Sequence, residues 1–84
     1  MNREELDIYV DNNGLELLTA DGFDNAIIGV ATRKGSEECV AYDYEKCVEI
    51  LINRDGMSDE EAREYMGFNV VDAYVGEHTP CFII

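Results

Sequence analysis

Positive charge is scarce in this chain. Six lysines and arginines stand against nineteen aspartates and glutamates, a formal net charge of −13 over 84 residues. Neutralising a nucleic-acid backbone takes clusters of Lys and Arg, and so does docking on anionic lipid. Direct nucleic-acid binding and an anionic membrane surface are therefore not expected. The charged partners that remain are basic proteins or cations. Repulsion between so many carboxylates is screened by salt, so stability is expected to rise with ionic strength.

Other absences narrow the field further. Apolar runs are only a few residues long, too short to span a bilayer. The opening Met1-Asn2-Arg3-Glu4-Glu5 has no apolar signal core. The cysteines Cys39, Cys47 and Cys81 are odd in number and widely spaced, which is no disulfide framework and fits a reducing cytosol. A cytoplasmic setting is the expectation. There is no CxxC or HxxxH pair, so a structural zinc site is not indicated. The glycines are dispersed and no Gly-Lys-Ser/Thr phosphate loop occurs. No repeat, low-complexity tract or Pro/Gly/Ser linker divides the chain, so one domain is expected over 1–84. Its N-terminal helix and turn occupy 1–14 and its core 21–84.

What is present is an ordinary hydrophobic share of 46%, enough for a folded chain despite the charge. A core of this size leaves a margin of only ~3–5 kcal/mol, and dimerisation is one way to widen it. Residues 2–11 read as a short helix, with Asn2 as its cap, Glu5 closing a capping box, and Leu6, Tyr9 and Val10 as a partial apolar stripe. Asn12-Asn13-Gly14 stops it. Residues 15–18 fit a strand or an extended linker. Residues 26–32, short and β-branched, and 39–42 read as two strands joined at Arg33-Lys34-Gly35-Ser36, an antiparallel hairpin.

Asp43 caps a helix over 44–54 whose Tyr44, Cys47, Val48 and Leu51 share one face. Asp55-Gly56 ends it. Ser58 and Glu61 form a second capping box, opening a helix from 59 to about 74. On that helix Ala62, Tyr65, Met66, Asn69 and Ala73 share a face. Gly76 is a natural terminator, and Thr79 to Ile84 reads as a final strand with Pro80 near its start. The expected fold is α+β: a two-layer domain with a small, about three-stranded, mostly antiparallel sheet packed by two amphipathic helices, plus the short N-terminal helix. The partner of the last strand stays open.

Tyr42-Asp43-Tyr44-Glu45-Lys46-Cys47, Gly56-Met57-Ser58-Asp59-Glu60-Glu61-Ala62, Phe68-Asn69-Val70-Val71-Asp72-Ala73-Tyr74-Val75-Gly76-Glu77 and Thr79-Pro80 carry a resemblance. They look like a family of short proteins encoded by tailed bacteriophages and prophages, over roughly residues 21–84. That family has no catalytic or binding assignment to carry over. The resemblance implies a phage setting, and hence the host cell cytoplasm. Gly67 departs from the pattern, in which a larger residue is usual. A mid-helix Gly costs about 0.5–1 kcal/mol against Ala, so a kink or a close backbone approach is open there.

Chemistry-bearing residues are few. His78 and Cys81 lie three apart, but two ligands do not make a metal site, and a lone His beside a Cys in a turn is a thin basis for a nucleophile pair. Asp21-Gly22-Phe23-Asp24-Asn25 resembles an acidic calcium loop only weakly, lacking the spacing and the closing bidentate Glu, and reads better as a turn. No cofactor and no metal is expected. Asn69 stands among apolar neighbours. Its amide either bonds nearby backbone or serves as a polar anchor in a partner-facing groove.

The remaining signal is acidic. Glu45, Glu49, Asp55, Asp59, Glu60, Glu61 and Glu64 flank one helix–turn–helix corner. Acids one turn apart lie about 5–6 Å from each other, comparable to phosphates along a DNA strand. The corner is thus either a solubilising surface or a mimic of nucleic acid. The leading expectation is a non-enzymatic interaction protein that binds and modulates a host or phage protein with a basic surface. The residues expected to carry it are Glu45, Glu49, Asp59, Glu60, Glu61, Glu64, Tyr65, Phe68 and Asn69. A virion or assembly accessory protein, and a small enzyme or metal protein, are the alternatives.

Overall fold

A computed structural model describes residues 1–32, 37–71 and 78–84. The expected hairpin turn at 33–36, and the expected contributions of Ala73, Tyr74 and Gly76, lie outside the described residues.

Helix α1, Arg3–Asn13, begins where Asn2 Oδ1 accepts from the Glu5 amide at 2.8 Å and the Asn2 amide donates to Glu5 Oε1 at 3.2 Å. This is the reciprocal cap anticipated from the sequence, and it satisfies two otherwise orphaned donors. Gly14 closes the helix at φ 62°, a conformation that a side chain makes costly. Residues 15–20 form no regular element. Bonds that tie them to the rest of the fold include the Leu18 amide donating to the His78 carbonyl and the buried Ala20 amide donating to Tyr42 Oη at 2.9 Å. A single 3-10 turn at Asp24–Ala26 then leads into the sheet.

Strand β1, Ile27–Thr32, pairs antiparallel with β2, Glu38–Asp43, with an irregularity between Ile27 and Gly29. The last strand, β3, Cys81–Ile83, adds to the far side of β2 in parallel, with Ala41 opposite Cys81 and Tyr42 opposite Phe82. The sheet is therefore mixed, with β2 in the middle, which settles the choice that the sequence left open. A parallel partner requires a long crossover, here the stretch that carries both later helices. Central position explains why β2 has a near-continuous buried run over residues 39–42.

Helix α2, Tyr44–Asp55, follows β2 directly. Asp43 caps it by accepting from the Lys46 amide at 3.1 Å, and Gly56 ends it at φ 69°. Its Cys47, Val48 and Leu51 are buried on β2 and on the 3-10 turn. Helix α3, Asp59–Tyr65, leans on α2. The core runs through Leu6, Phe23, Ile27, Val40, Tyr42, Val48, Leu51, Ala62 and Met66, with Phe82 stacked on Tyr42 at 5.5 Å between ring centroids.

The second long helix departs from expectation. A regular α-helix from 59 to about 74 was anticipated, but it is regular only to Tyr65. Met66–Val71 continues as a π-helical segment. A π turn takes one more residue than an α turn. The buried positions are accordingly Ala62, Met66 and Val70, four apart, and the inward place expected for Asn69 passes to Val70.

Candidate protein-binding face

The corner between α2 and α3 is built around an arginine. The Ser58–Glu61 box opens α3, with the Glu61 amide donating to Ser58 Oγ at 3.1 Å and the Ser58 amide to Glu61 Oε1 at 3.2 Å. One turn on from Asp59, Arg63 projects back toward α2. Its Nη1 and Nη2 fork onto Glu45 Oε2 and Oε1 at 2.8 and 3.0 Å, and its Nε donates to Asp59 Oδ1 at 2.9 Å. The guanidinium also lies 5.9 Å from the centre of the Tyr44 ring. A bidentate fork is the strongest geometry an ion pair offers, though these groups are open to solvent. The hydrogen bonds from Arg63 hold the Glu45 carboxyl below its usual range, and Glu45 and then Asp59 hold the Arg63 guanidinium more firmly charged.

Beyond this clamp, the π segment turns a different set of side chains outward. Phe68 is 78% exposed and Tyr65 38%, and Asn69 is exposed with them. Met57, Glu61, Glu64, Tyr65, Phe68 and Asn69 line one shallow depression of about 310 Å³. Asn69, expected to share one face with Ala62 and Met66, is exposed while those two are buried. It lies at the surface within the π segment.

The nine residues singled out from the sequence thus fall into separate groups. Glu61, Glu64, Tyr65, Phe68 and Asn69 meet in the depression. Glu45 and Asp59 meet at Arg63. Glu60 is exposed on the first turn of α3. Glu49 stands apart, in an open groove of about 740 Å³ between α2 and the 3-10 turn, with Asn25, Lys46, Ile50, Asn53 and Arg54. Asp55, the remaining acid of the corner, is held by Arg54 at 2.8 Å, which keeps its carboxyl below the usual range. Three of these carboxylates, Glu45, Asp55 and Asp59, are paired with arginine.

Two residues of this face escaped the sequence reading. Arg63 was signalled by its four-residue spacing from Asp59, a favoured ion-pair interval on a helix. Met57 was signalled by its place just before the cap, where an apolar residue commonly packs against the fourth helical position.

Elsewhere the polar side chains have local work. His78, at φ 59°, places Nδ1 2.9 Å from the Glu38 carbonyl oxygen, so that nitrogen carries the proton. Tyr9 Oη donates to Glu38 Oε2 at 2.6 Å, a bond that raises the phenol above its ordinary value. Arg54 Nη1 donates to the Gly22 carbonyl and its guanidinium lies 5.6 Å from the centre of the Phe23 ring. Gly22, at φ 89°, has a backbone that a side chain would strain, and an added Cβ would make the Arg54 guanidinium shift. Among the described residues no three His, Cys, Asp or Glu side chains gather as a metal site. None of the described helices is long and apolar enough to cross a membrane. No family model, curated protein or solved structure matches the chain.

Proposed function

We propose that this is a non-enzymatic interaction protein that docks a basic partner protein on the face formed by Tyr65, Phe68, Asn69, Glu61 and Glu64. The observation that carries the reading is Phe68, a large aromatic 78% exposed in a depression walled by carboxylates. An aromatic side chain held out on a helix is a common anchor of protein interfaces, and flanking charge steers the encounter. With a net charge of −13, the complementary partner is basic. The phage-family resemblance supports action on a host or phage protein in the infected cell's cytoplasm. Nucleic-acid mimicry has less support, since Arg63 and Arg54 pair with three of the carboxylates that would imitate phosphates.

The test is differential capture from host lysate with tagged wild-type protein and with Phe68→Ala and Glu64→Gln. A specific partner should be retained at low salt and released at high salt. Loss of a central aromatic anchor costs about 2 kcal/mol, roughly 30-fold in affinity, while Glu64→Gln should mainly slow association. Capture that is indifferent to salt and to Phe68 would defeat the proposal.

A further inference from the structure

We propose that Cys39 and Cys81 are a peroxide-responsive thiol pair, which forms a reversible disulfide that fastens β3 to β2. The two sulfurs are 3.5 Å apart, although 42 residues separate them in the chain. The geometry follows from the strand register. Ala41 lies opposite Cys81, and Cys39, two residues earlier on β2, points to the same face of the sheet. The opposite face carries Val40 and Tyr42 into the main core. Cys39 is fully buried and Cys81 only half-buried. Cys47 belongs to the core cluster on α2, where burial first, and the charge of Asp43 second, push its thiol up to about 12. Two of the three thiols are thus placed together with one of them reachable from solvent, and the third is shielded.

A hydroperoxide is the chemical class of oxidant that fits. The Cys81 sulfur attacks the outer peroxide oxygen and the O–O bond breaks, which leaves a sulfenic acid and releases an alcohol, or water from hydrogen peroxide itself. The Cys39 sulfur then attacks the Cys81 sulfur. The new S–S bond forms, the S–O bond breaks, and the departing hydroxide takes the Cys39 proton as water. Two electrons leave the two thiols and reduce one peroxide. Neighbouring thiols intercept a sulfenic acid before it reaches the irreversible sulfinic stage. Closing from 3.5 Å to a bond of about 2.0 Å requires a shift of β3 itself, because Cys39 and Cys81 are diagonal neighbours in the register and not directly opposed. β3 is well suited to supply it, since it pairs over only three residues at the sheet margin. The closed loop contains α2, α3 and the π segment, so the link ties the end of the chain to the centre of the sheet around them. The inference is independent of any partner.

The experiment oxidises the intact chain with stoichiometric hydrogen peroxide, alkylates remaining thiols under denaturing conditions, and maps the peptides by mass spectrometry. The expected product is a monomer lighter by two hydrogens, alkylated only at Cys47, with the Cys39 and Cys81 peptides joined. A thiol reductant should restore three alkylatable cysteines. The same oxidation in urea should scatter over all three pairings, and Cys81→Ala should give no intramolecular link. The cross-linked chain should melt about 15–30 °C higher, as expected for a loop of this length. Three alkylatable thiols after oxidation, a Cys81 recovered only as sulfinic acid, or the same mixture of pairings with and without urea would each overturn the assignment.

Discussion

Helix α2 and the α3–π unit are nearly equal in length but use their residues differently. α2 keeps the α period throughout, and Cys47, Val48 and Leu51 on its stripe are all buried. The later unit keeps that period for seven residues and then widens, so that Ala62, Met66 and Val70 go inward while Phe68 and Asn69 come out. One helix is spent on the core. The other gives up a regular turn and gains an exposed aromatic, and π turns of this kind are frequent at functional sites.

The comparison is tested most severely on the α2 side. Leu51 is fully buried, and Leu51→Ala should cost about 2–5 kcal/mol, comparable with the whole margin of a domain this small. Urea unfolding followed by circular dichroism should show a chain largely unfolded without denaturant. A loss well under 1 kcal/mol would mean that α2 is not the core's main support.

The register of the π segment has its own discriminating pair. Val70→Ala should cost about 1–2.5 kcal/mol, because Val70 is nearly fully buried. Asn69→Ala should fall within about 0.5 kcal/mol of wild type, because Asn69 is exposed. A regular α-helix would set both residues near the Ala62–Met66 face and bring the two costs close together. Smaller still is Gly67→Ala. An added Cβ at Gly67 meets nothing within 4 Å, and its φ lies outside the left-handed region, so the substitution should stabilise by about 0.4–1 kcal/mol in the same urea titration. Destabilisation would show that the segment needs glycine's freedom.

These residues also show what could be read in advance. Caps were legible because they are local. Asn2 with Glu5, Asp43 with the Lys46 amide, and Ser58 with Glu61 each act within a single turn, and all three form as anticipated. The stripe on α2 was legible because its period never changes. Asn69 was misplaced because one extra residue in a turn shifts everything beyond it, and no local residue type announces a π turn. The pairing of β3 with β2 was not legible because it depends on packing across 38 or more residues. The aromatic and acidic members of the candidate face were identifiable singly. Their division among Arg63, Arg54 and the depression required the fold, since Glu45 and Arg63 meet only when α3 folds back on α2.

That meeting point, the joint between the two helices, carries the smallest effect. Arg63 lowers the Glu45 carboxyl in the folded chain, so between the folded and unfolded values the unfolded state binds more protons, and stability rises with pH. The contribution is fully present above the ordinary carboxylate value of about 4.3. It fades as pH falls through the lowered folded value. Acidification also relieves repulsion among the other carboxylates, which acts in the opposite direction and would hide the effect in wild type alone. The measurable quantity is the difference in thermal midpoint between wild type and Arg63→Gln at each pH. It should be small and positive near neutrality, shrink with added salt because both partners are open to solvent, and vanish in acid. A difference that persists unchanged in acid would assign Arg63's role to its packing on Tyr44, and would mean that the two helices are joined by contact and not by charge.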